Sequence, residues 1–523
     1  MQARRAALPV VMAVAAVLAG SVLRLWHVAG EPLWLDEAYS AFAADHGFAF
    51  LWHVVPQYET HPPVYYSLLR IWSGWAGTGL VARRALGLLC GFGTILVVGM
   101  VAARLGRITR MSRRDRLWLI AIMLSLVALQ PLLIAMSRQV RPYPVMILVY
   151  ATSLLPLLRL IQDTARRNRP DRAAIAGFFL CEALMLWLHS LGPLFGLSMT
   201  LALGVAVLKP GLGRRDWTWL AGGQAVVGLI YLPAFLIMIH QATGWVSSTW
   251  VTFAMADVPV AIGQIYLDWN LWARLIALVA AIVGATLLLR RLGGGRLLTI
   301  LLLMALLPVL LSILLSALVS PVFLARTLSP AAIPALLLLS VGLVWPGRWL
   351  WAGLVPLSAV LGSMVIIDRM EARVGPAQDW YGAIAWLTPR MAPGDVVWAY
   401  PNEGALPLAY ALRDQRRHLP LMQVPAAMPA LAVPGYHPTG SRGAVSLYPA
   451  QIDALMRTDA ARRPPTIWLL RLTGPLYDTN DHMLHALERN RVTVGRFQSR
   501  QIDLIGLRRT DLAPVAAAEQ AQP

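Results

Sequence analysis

Eleven long apolar runs, set apart by loops that alternate between arginine-bearing and nearly cation-free, constrain this chain more than any other feature. A helix needs about 20 apolar residues to cross a bilayer's hydrocarbon core. Runs of that order lie near 8–29, 80–103, 117–136, 142–160, 173–190, 191–208, 217–238, 270–289, 297–319, 328–345 and 349–367. The expected fold is therefore an all-α polytopic membrane protein with about eleven transmembrane helices.

The charges orient the runs. One set of loops carries Arg4 and Arg5; six arginines between Arg104 and Arg116; five between Arg159 and Arg172; Lys209, Arg214 and Arg215; Arg290, Arg291 and Arg296; and Arg348. The other set is nearly free of cations. Gly30 to Leu69 holds no Lys or Arg but carries Asp36, Glu37, Asp45 and Glu59, and His240 to Asn270 holds only Asp257 and Asp268. Short cytoplasmic loops collect Lys and Arg, so the N-terminus is expected inside and, with an odd count, the C-terminus outside. Arg4 and Arg5 before the run Leu8–Leu23, with Ala16 and Ala19, also resemble a signal peptide. Apolar character continues to Ala29, which favours an uncut first helix. The net charge of +19 is spread over the inner loops, which argues against nucleic acid as a partner. Cys90 and Cys181 fall inside apolar runs and are expected to be buried thiols.

The run Val64–Trp75 is too short to cross and is expected to lie along the outer interface, with Trp72 and Trp75 at headgroup depth. Residues 1–367, with the outer loop 30–79, form the expected membrane domain. From Asp368 the apolar runs shorten. Asp395–Tyr400, Thr466–Arg471 and Ile502–Leu507 read as strands, and Asp379–Met391, Ala405–Arg413, Pro449–Arg457 and Asp481–Arg489 as helices. Residues 368–510 are expected to form a small extracytoplasmic α/β domain and 511–523 a disordered tail. No internal repeat of the kind seen in many transporters is present.

The first outer loop is the richest in chemistry. It reads Glu31-Pro-Leu-Trp34-Leu-Asp36-Glu37-Ala-Tyr39-Ser40, and later His61-Pro62-Pro63-Val-Tyr65-Tyr66. A carboxylate beside an apolar interface binds its proton more tightly and can act as a general base. An ordinary acidic helix start, with Asp36 as N-cap, is the bland alternative; the Trp- and Tyr-rich surroundings favour function.

These residues resemble the first outer loop of bacterial glycosyltransferase family 39, multi-spanning enzymes of the GT-C fold. The family is similar to protein O-mannosyltransferases and to the lipid A aminoarabinose transferase. Ser137-Arg138-Gln-Val-Arg141-Pro-Tyr143, His189 and Arg326-Thr-Leu-Ser-Pro330 through Pro334 extend the likeness. Ser190 stands where the family has Tyr or Phe after the histidine. The resemblance spans roughly residues 8 to 370. It implies a polyprenyl-phosphate sugar as donor, a glycan, lipid or protein as acceptor, and reaction on the outer face of the bacterial cytoplasmic membrane. Asp36 would take the acceptor proton and Glu37 would orient the site.

The residues support this independently. A lipid-phosphate sugar needs no nucleotide site, and neither a GxGxxG nor a GxxxxGK[ST] pattern occurs. A departing phosphate needs cations, and the arginine fork suits it. Arg138, Arg141 and Arg326 sit in otherwise cation-poor outer turns. Each alone could be a snorkelling arginine; three on one side favour a shared anionic ligand. Displacement by the acceptor oxygen inverts the anomeric carbon, whereas retention needs a second carboxylate on the other face of the sugar. His61, Tyr65, Tyr143 and His189 are candidate substrate contacts. The two histidines could hold a divalent metal, but structural hydrogen bonds are the commoner use, and no metal or other cofactor is assigned. Trp245, Trp250, Tyr266 and Trp269 are candidate groove residues or an interfacial belt, and Tyr381, Tyr400, Asp478 and Asp481 candidate acceptor contacts. A flippase for lipid-linked glycans would place ionisable groups near mid-membrane. A non-catalytic assembly subunit would be indifferent to loss of Asp36.

Overall fold

The computed structural model describes residues 2–26, 28–167, 170–207, 213–248, 251–268, 270–291, 293–344, 350–435, 443–472, 478 and 480–512. The membrane portion comprises α1 (Gln2–Leu25), α2 (Leu35–Asp45), α3 (Val64–Ala76), α4 (Leu80–Ile108), α5 (Arg113–Leu129), α6 (Pro131–Ser137), α7 (Tyr143–Arg167), α8 (Arg172–Leu188), α9 (Gly192–Val207), α10 (Arg214–Ser248), α11 (Val258–Tyr266), α12 (Leu271–Leu289), α13 (Gly294–Leu318), α14 (Ala325–Leu328), α15 (Ala332–Leu343) and α16 (Leu350–Val374).

Each expected crossing falls on helical chain, but the count of eleven is not met on length. Among the described residues eight helices are long and apolar enough to cross, and α5 with α6, bent by 61°, makes a ninth. The remaining two, α8 and α9, have only 17 and 16 residues.

The bend between α5 and α6 has a local cause. Pro131 has no N–H to give the Val127 carbonyl, so an α-helix cannot run through it unaided. Arg24 of α1 supplies the missing donors: Nη2 to Val127 O at 3.1 Å and Nη1 to Ala128 O at 2.5 Å. The Gln130 side chain then caps α6 by accepting from Leu133 N at 2.5 Å. An arginine inside the first apolar run is thus spent on backbone repair. Elsewhere small residues let helices touch: a Cβ on Gly342 of α15 would stand 1.7 Å from the Ala280 carbonyl oxygen of α12, the close approach that small residues allow in membranes.

The run expected to be too short to cross is helix α3, of 13 residues. It packs on α2 and α4; Trp75 projects outward, and Trp72 Nε1 donates to Ala82 O at 2.7 Å.

The C-terminal domain contains α17 (Trp380–Leu387), β1 (Val396–Ala399), α18 (Ala405–Asp414), β2 (Leu421–Gln423), α19 (Pro449–Met456), α20 (Asp459–Arg462), β3 (Thr466–Leu472), α21 (His482–Glu488), β4 (Arg491–Gln498) and β5 (Ile502–Arg509). The sheet order is β2-β1-β3-β5-β4, with β1, β2 and β3 parallel and β4 and β5 antiparallel to their neighbours. Apolar clusters cover both faces. β2 and β4 were not expected: β2 has three residues, and β4 is an edge strand with half of its residues exposed. The domain boundary also shifts. α16 stays helical to Val374, so residues 368–374 extend the last membrane helix and the sheet domain begins beyond it. The tail from residue 513 lies outside the described residues.

The domain sits on the first loop. Leu35 N donates to Gln378 Oε1 at 2.8 Å, Tyr410 OH to Asp45 Oδ2 at 2.7 Å and Arg413 Nη2 to Thr78 O at 2.9 Å. The sheet domain and the loop 30–79 therefore occupy the same side of the helices.

Candidate functional site

The first loop enters α2 at Leu35, with Trp34 in the N-cap position. Asp36 and Glu37 are thus consecutive residues of the first turn, about 100° apart around the helix. They face different surroundings. Asp36 is reached by two guanidiniums: Arg326 Nη2 at 3.5 Å and Arg141 Nη2 at 3.9 Å from Oδ2. Arg141 Nη1 also donates to Asp36 O and Ser40 Oγ, each at 3.3 Å. Arg326 lies over the Trp34 ring at 5.2 Å, a cation–π contact that orients its fork.

Glu37 is held differently. Its Oε2 accepts from Arg84 Nη2 at 3.0 Å and Trp34 N at 3.4 Å, and its Oε1 from Val140 N at 2.8 Å. Arg84 in turn donates to the carbonyls of Val28, Glu31 and Pro32. Glu37 therefore fastens the turn carrying Arg138 and Arg141 onto α2. Arg84 escaped the sequence reading because it lies in the fourth helix's apolar run, 47 residues from its partner.

Two cavities meet at Arg326. The narrower, about 210 Å³, is lined by Asp36, Glu59, His61, Arg141, Tyr143, His189 and Arg326. Its other wall is largely apolar: Met238 of α10, Leu315 of α13, and Val319, Val322 and Leu324 from the turn beyond, with Ser320 and Thr327 between them. Six of the nine candidate site residues thus converge here. His61 and His189 pack with ring centroids 4.1 Å apart and the rings tilted by 41°. Ser190 Oγ lies 3.0 Å from His61 Nδ1, His189 Nδ1 accepts from Leu191 N at 3.0 Å, and Arg141 is 5.7 Å from the Tyr143 ring. Among the described residues no group of three or more His, Cys, Asp or Glu gathers to hold a metal. Glu59, noted in sequence only as a loop acid, is buried here and accepts from His61 N at 3.1 Å.

The wider cavity, about 950 Å³, lies between the membrane helices and the sheet domain. Trp26, Trp34, Glu37, Arg84, Arg138, Arg326, Asp368, Arg369 and Gln378 contribute to it. Arg138 faces this cavity, with Nη2 at 3.8 Å from Asp368 and Nη1 donating to Trp26 O at 3.4 Å. It is not grouped with Arg141 around Asp36. Tyr65 lines neither cavity. It is packed beneath Tyr66 in α3, and burial pushes its phenol well above the usual range, so it stays protonated.

The candidate acceptor contacts of the sheet domain serve the domain itself. Tyr400 OH accepts from Leu447 N, Asp478 caps α21 through the amides of His482 and Met483, Asp481 pairs with Arg471, and Tyr381 donates to Asp414. Tyr266 OH donates to Ala305 O rather than lining a groove. The side chains of Trp245, Trp250 and Trp269 lie outside the described residues.

No family model and no curated protein matches the sequence itself. The structure matches ArnT from Cupriavidus metallidurans in its apo state, with a TM-score of 0.56 and 12% identity over 95% of this chain and 97% of that one. The chain has the GT-C fold. A second GT-C match is the Archaeoglobus fulgidus oligosaccharyltransferase tethered to an acceptor peptide, with a TM-score of 0.50 and 11% identity over 97% of this chain and 74% of that one. The fold places Asp36, Arg141 and Arg326 from three separate stretches of the GT-C bundle around one cavity.

Proposed function

We propose that the protein is a membrane glycosyltransferase. It moves a monosaccharide from a polyprenyl-phosphate donor to an acceptor hydroxyl on the extracytoplasmic side of the bacterial cytoplasmic membrane. The observation that carries this is the Asp36 carboxylate set between Arg141 and Arg326 in a cavity with an apolar strip formed by Met238, Leu315, Val319, Val322 and Leu324. That one structural relative is an oligosaccharyltransferase agrees with it.

A lipid phosphate suits such a place. Its oxygens compete with Asp36 for the two guanidiniums, and the first isoprene units lie against Met238, Leu315, Val319 and Val322. Asp36, loosened from its ion pairs, accepts the proton of the acceptor hydroxyl. That oxygen bonds to the anomeric carbon while the bond from carbon to phosphate oxygen breaks, and the electron pair leaves with the phosphate. Arg141 and Arg326 meet the charge that develops there. The wide cavity, floored by the sheet domain, receives the acceptor, be it glycan, lipid or protein. One displacement inverts the anomeric centre. Glu37 cannot serve as the opposing nucleophile, because Arg84 and the Val140 amide occupy its carboxylate.

Purified protein incubated with a panel of radiolabelled polyprenyl-phosphate sugars and envelope acceptors tests this. Release of polyprenyl phosphate with a product of inverted configuration is expected. No turnover with any donor would overturn the proposal, and a retained configuration would move the nucleophile to Glu59.

A further inference from the structure

A second cavity runs along α10 away from the first. Helices α8 and α10 leave a groove of about 550 Å³ between Ile175 and Ala183 on one side and Thr218 and Ile230 on the other. Its floor is closed where Gly223 meets Phe179, since a Cβ on Gly223 would stand 2.1 Å from that ring. Its length is open at Gly222, where a Cβ would meet nothing within 4 Å. Met238 of the same α10 lines the Asp36 cavity. Trp219 is 19 positions earlier, about 28 Å along the helix. The groove therefore opens at the end of the bundle opposite the candidate site.

The groove ends in positive charge. Arg172 lies 5.2 Å from the Trp219 ring, and Arg214 and Arg215 begin α10, all three exposed. The acids nearby are Asp171, paired with Arg159, and Asp216, which accepts from Gly213 N. Three guanidiniums face two carboxylates, one of them already engaged. Helix α10 is otherwise sparsely covered: 11% of its apolar window is buried. Its polar ties to the bundle include Gln224 to Glu182 at 3.1 Å and Trp187 Nε1 to Ile230 O at 3.0 Å.

We propose that this groove binds an anionic glycerophospholipid from the leaflet opposite the candidate site. One acyl chain lies along Ala176, Phe179, Gly222 and Val226, and the headgroup phosphate rests on Arg172, Arg214 and Arg215. Cationic pockets between membrane helices favour anionic headgroups, and an apolar slot beside one supplies chain contacts that a headgroup alone lacks. The inference rests on the chain spanning a membrane and not on sugar transfer.

The test uses the full chain in a neutral detergent, with thermal unfolding followed as phosphatidylglycerol or phosphatidylcholine is titrated. A ligand bound to the folded state raises Tm with its concentration. The expected result is a saturable upward shift with phosphatidylglycerol that is small with phosphatidylcholine. Two variants should lose the shift while keeping the lipid-free Tm. R172Q/R214Q/R215Q removes the headgroup site. Gly222→Leu fills the slot from a position with open space. Equal shifts with both lipids, no shift with either, or a shift that survives both variants would overturn the proposal. So would a Gly222→Leu variant that changes oligomeric state, since the groove would then be a protein interface.

Discussion

Asp36 and Glu37 are consecutive acids at the start of one helix, yet they belong to two regions built on opposite rules. Around Glu37 the contacts are several and reinforce one another: a guanidinium at 3.0 Å, backbone amides at 2.8 and 3.4 Å, and an arginine that also braces three carbonyls. Around Asp36 the guanidiniums stand off at 3.5 and 3.9 Å and the opposite wall is largely apolar. A tight ion pair held by several further hydrogen bonds is part of the frame. A loose one that opens on a cavity can exchange its partner for a ligand. The difference separates a group that holds the site from one that acts in it.

The comparison breaks most sharply through Asp36→Asn. This change keeps the shape and removes the base, so transfer should fall by about 10²–10⁴-fold, the range for a lost general base. Tm should stay close to that of the parent, and donor binding should hold or tighten, because the phosphate no longer competes with a carboxylate for Arg141 and Arg326. If transfer survives, Asp36 belongs to the frame. Glu37→Gln should do the reverse. Stranding Arg84 as a buried unpaired charge should cost about 3–5 kcal/mol of stability, seen as a lower Tm in detergent. A stable but inactive Glu37→Gln would place both acids in the chemistry. Arg326→Lys tests the loose pair more gently. It keeps the charge and loses the fork, so KM for the lipid donor should rise about tenfold, near 1.4 kcal/mol, the scale of a charged hydrogen bond. An unchanged KM would remove Arg326 from phosphate binding. At the small end, Asp481→Asn in the sheet domain keeps an oxygen facing Arg471 and leaves Asp503 as its charged partner, so it should cost no more than about 1 kcal/mol and leave transfer unchanged. A clear loss of transfer would return Asp481 to the acceptor site.

Much of this was legible because apolar runs and arginine-bearing loops report directly on hydrocarbon and headgroups. The polytopic helices, the short α3 and three of the five strands follow from that pattern. The convergence of Asp36, His61, Arg141, Tyr143, His189 and Arg326 followed from motif residues clustering in the outer turns. What stayed hidden was set by long-range pairing. Arg24 and Arg84 are embedded in apolar runs, where their charge reads as an interruption rather than as partner to a broken helix or a distant glutamate. Arg138 and Arg141 share one turn, and only the fold shows that they serve different cavities. β4 was missed because an exposed edge strand carries little apolar periodicity, and the span of α8 and α9 because tight turns leave each short of a full crossing.

The most direct measurement is a structure of the protein with polyprenyl phosphate bound. The phosphate is expected in the narrow cavity, contacting Arg141 and Arg326, with the Asp36 carboxylate freed beside it and the first isoprene units on Met238, Leu315 and Val319. A phosphate seated instead on Arg138 and Arg369 in the wide cavity, with Asp36 still held by its two guanidiniums, would contradict it.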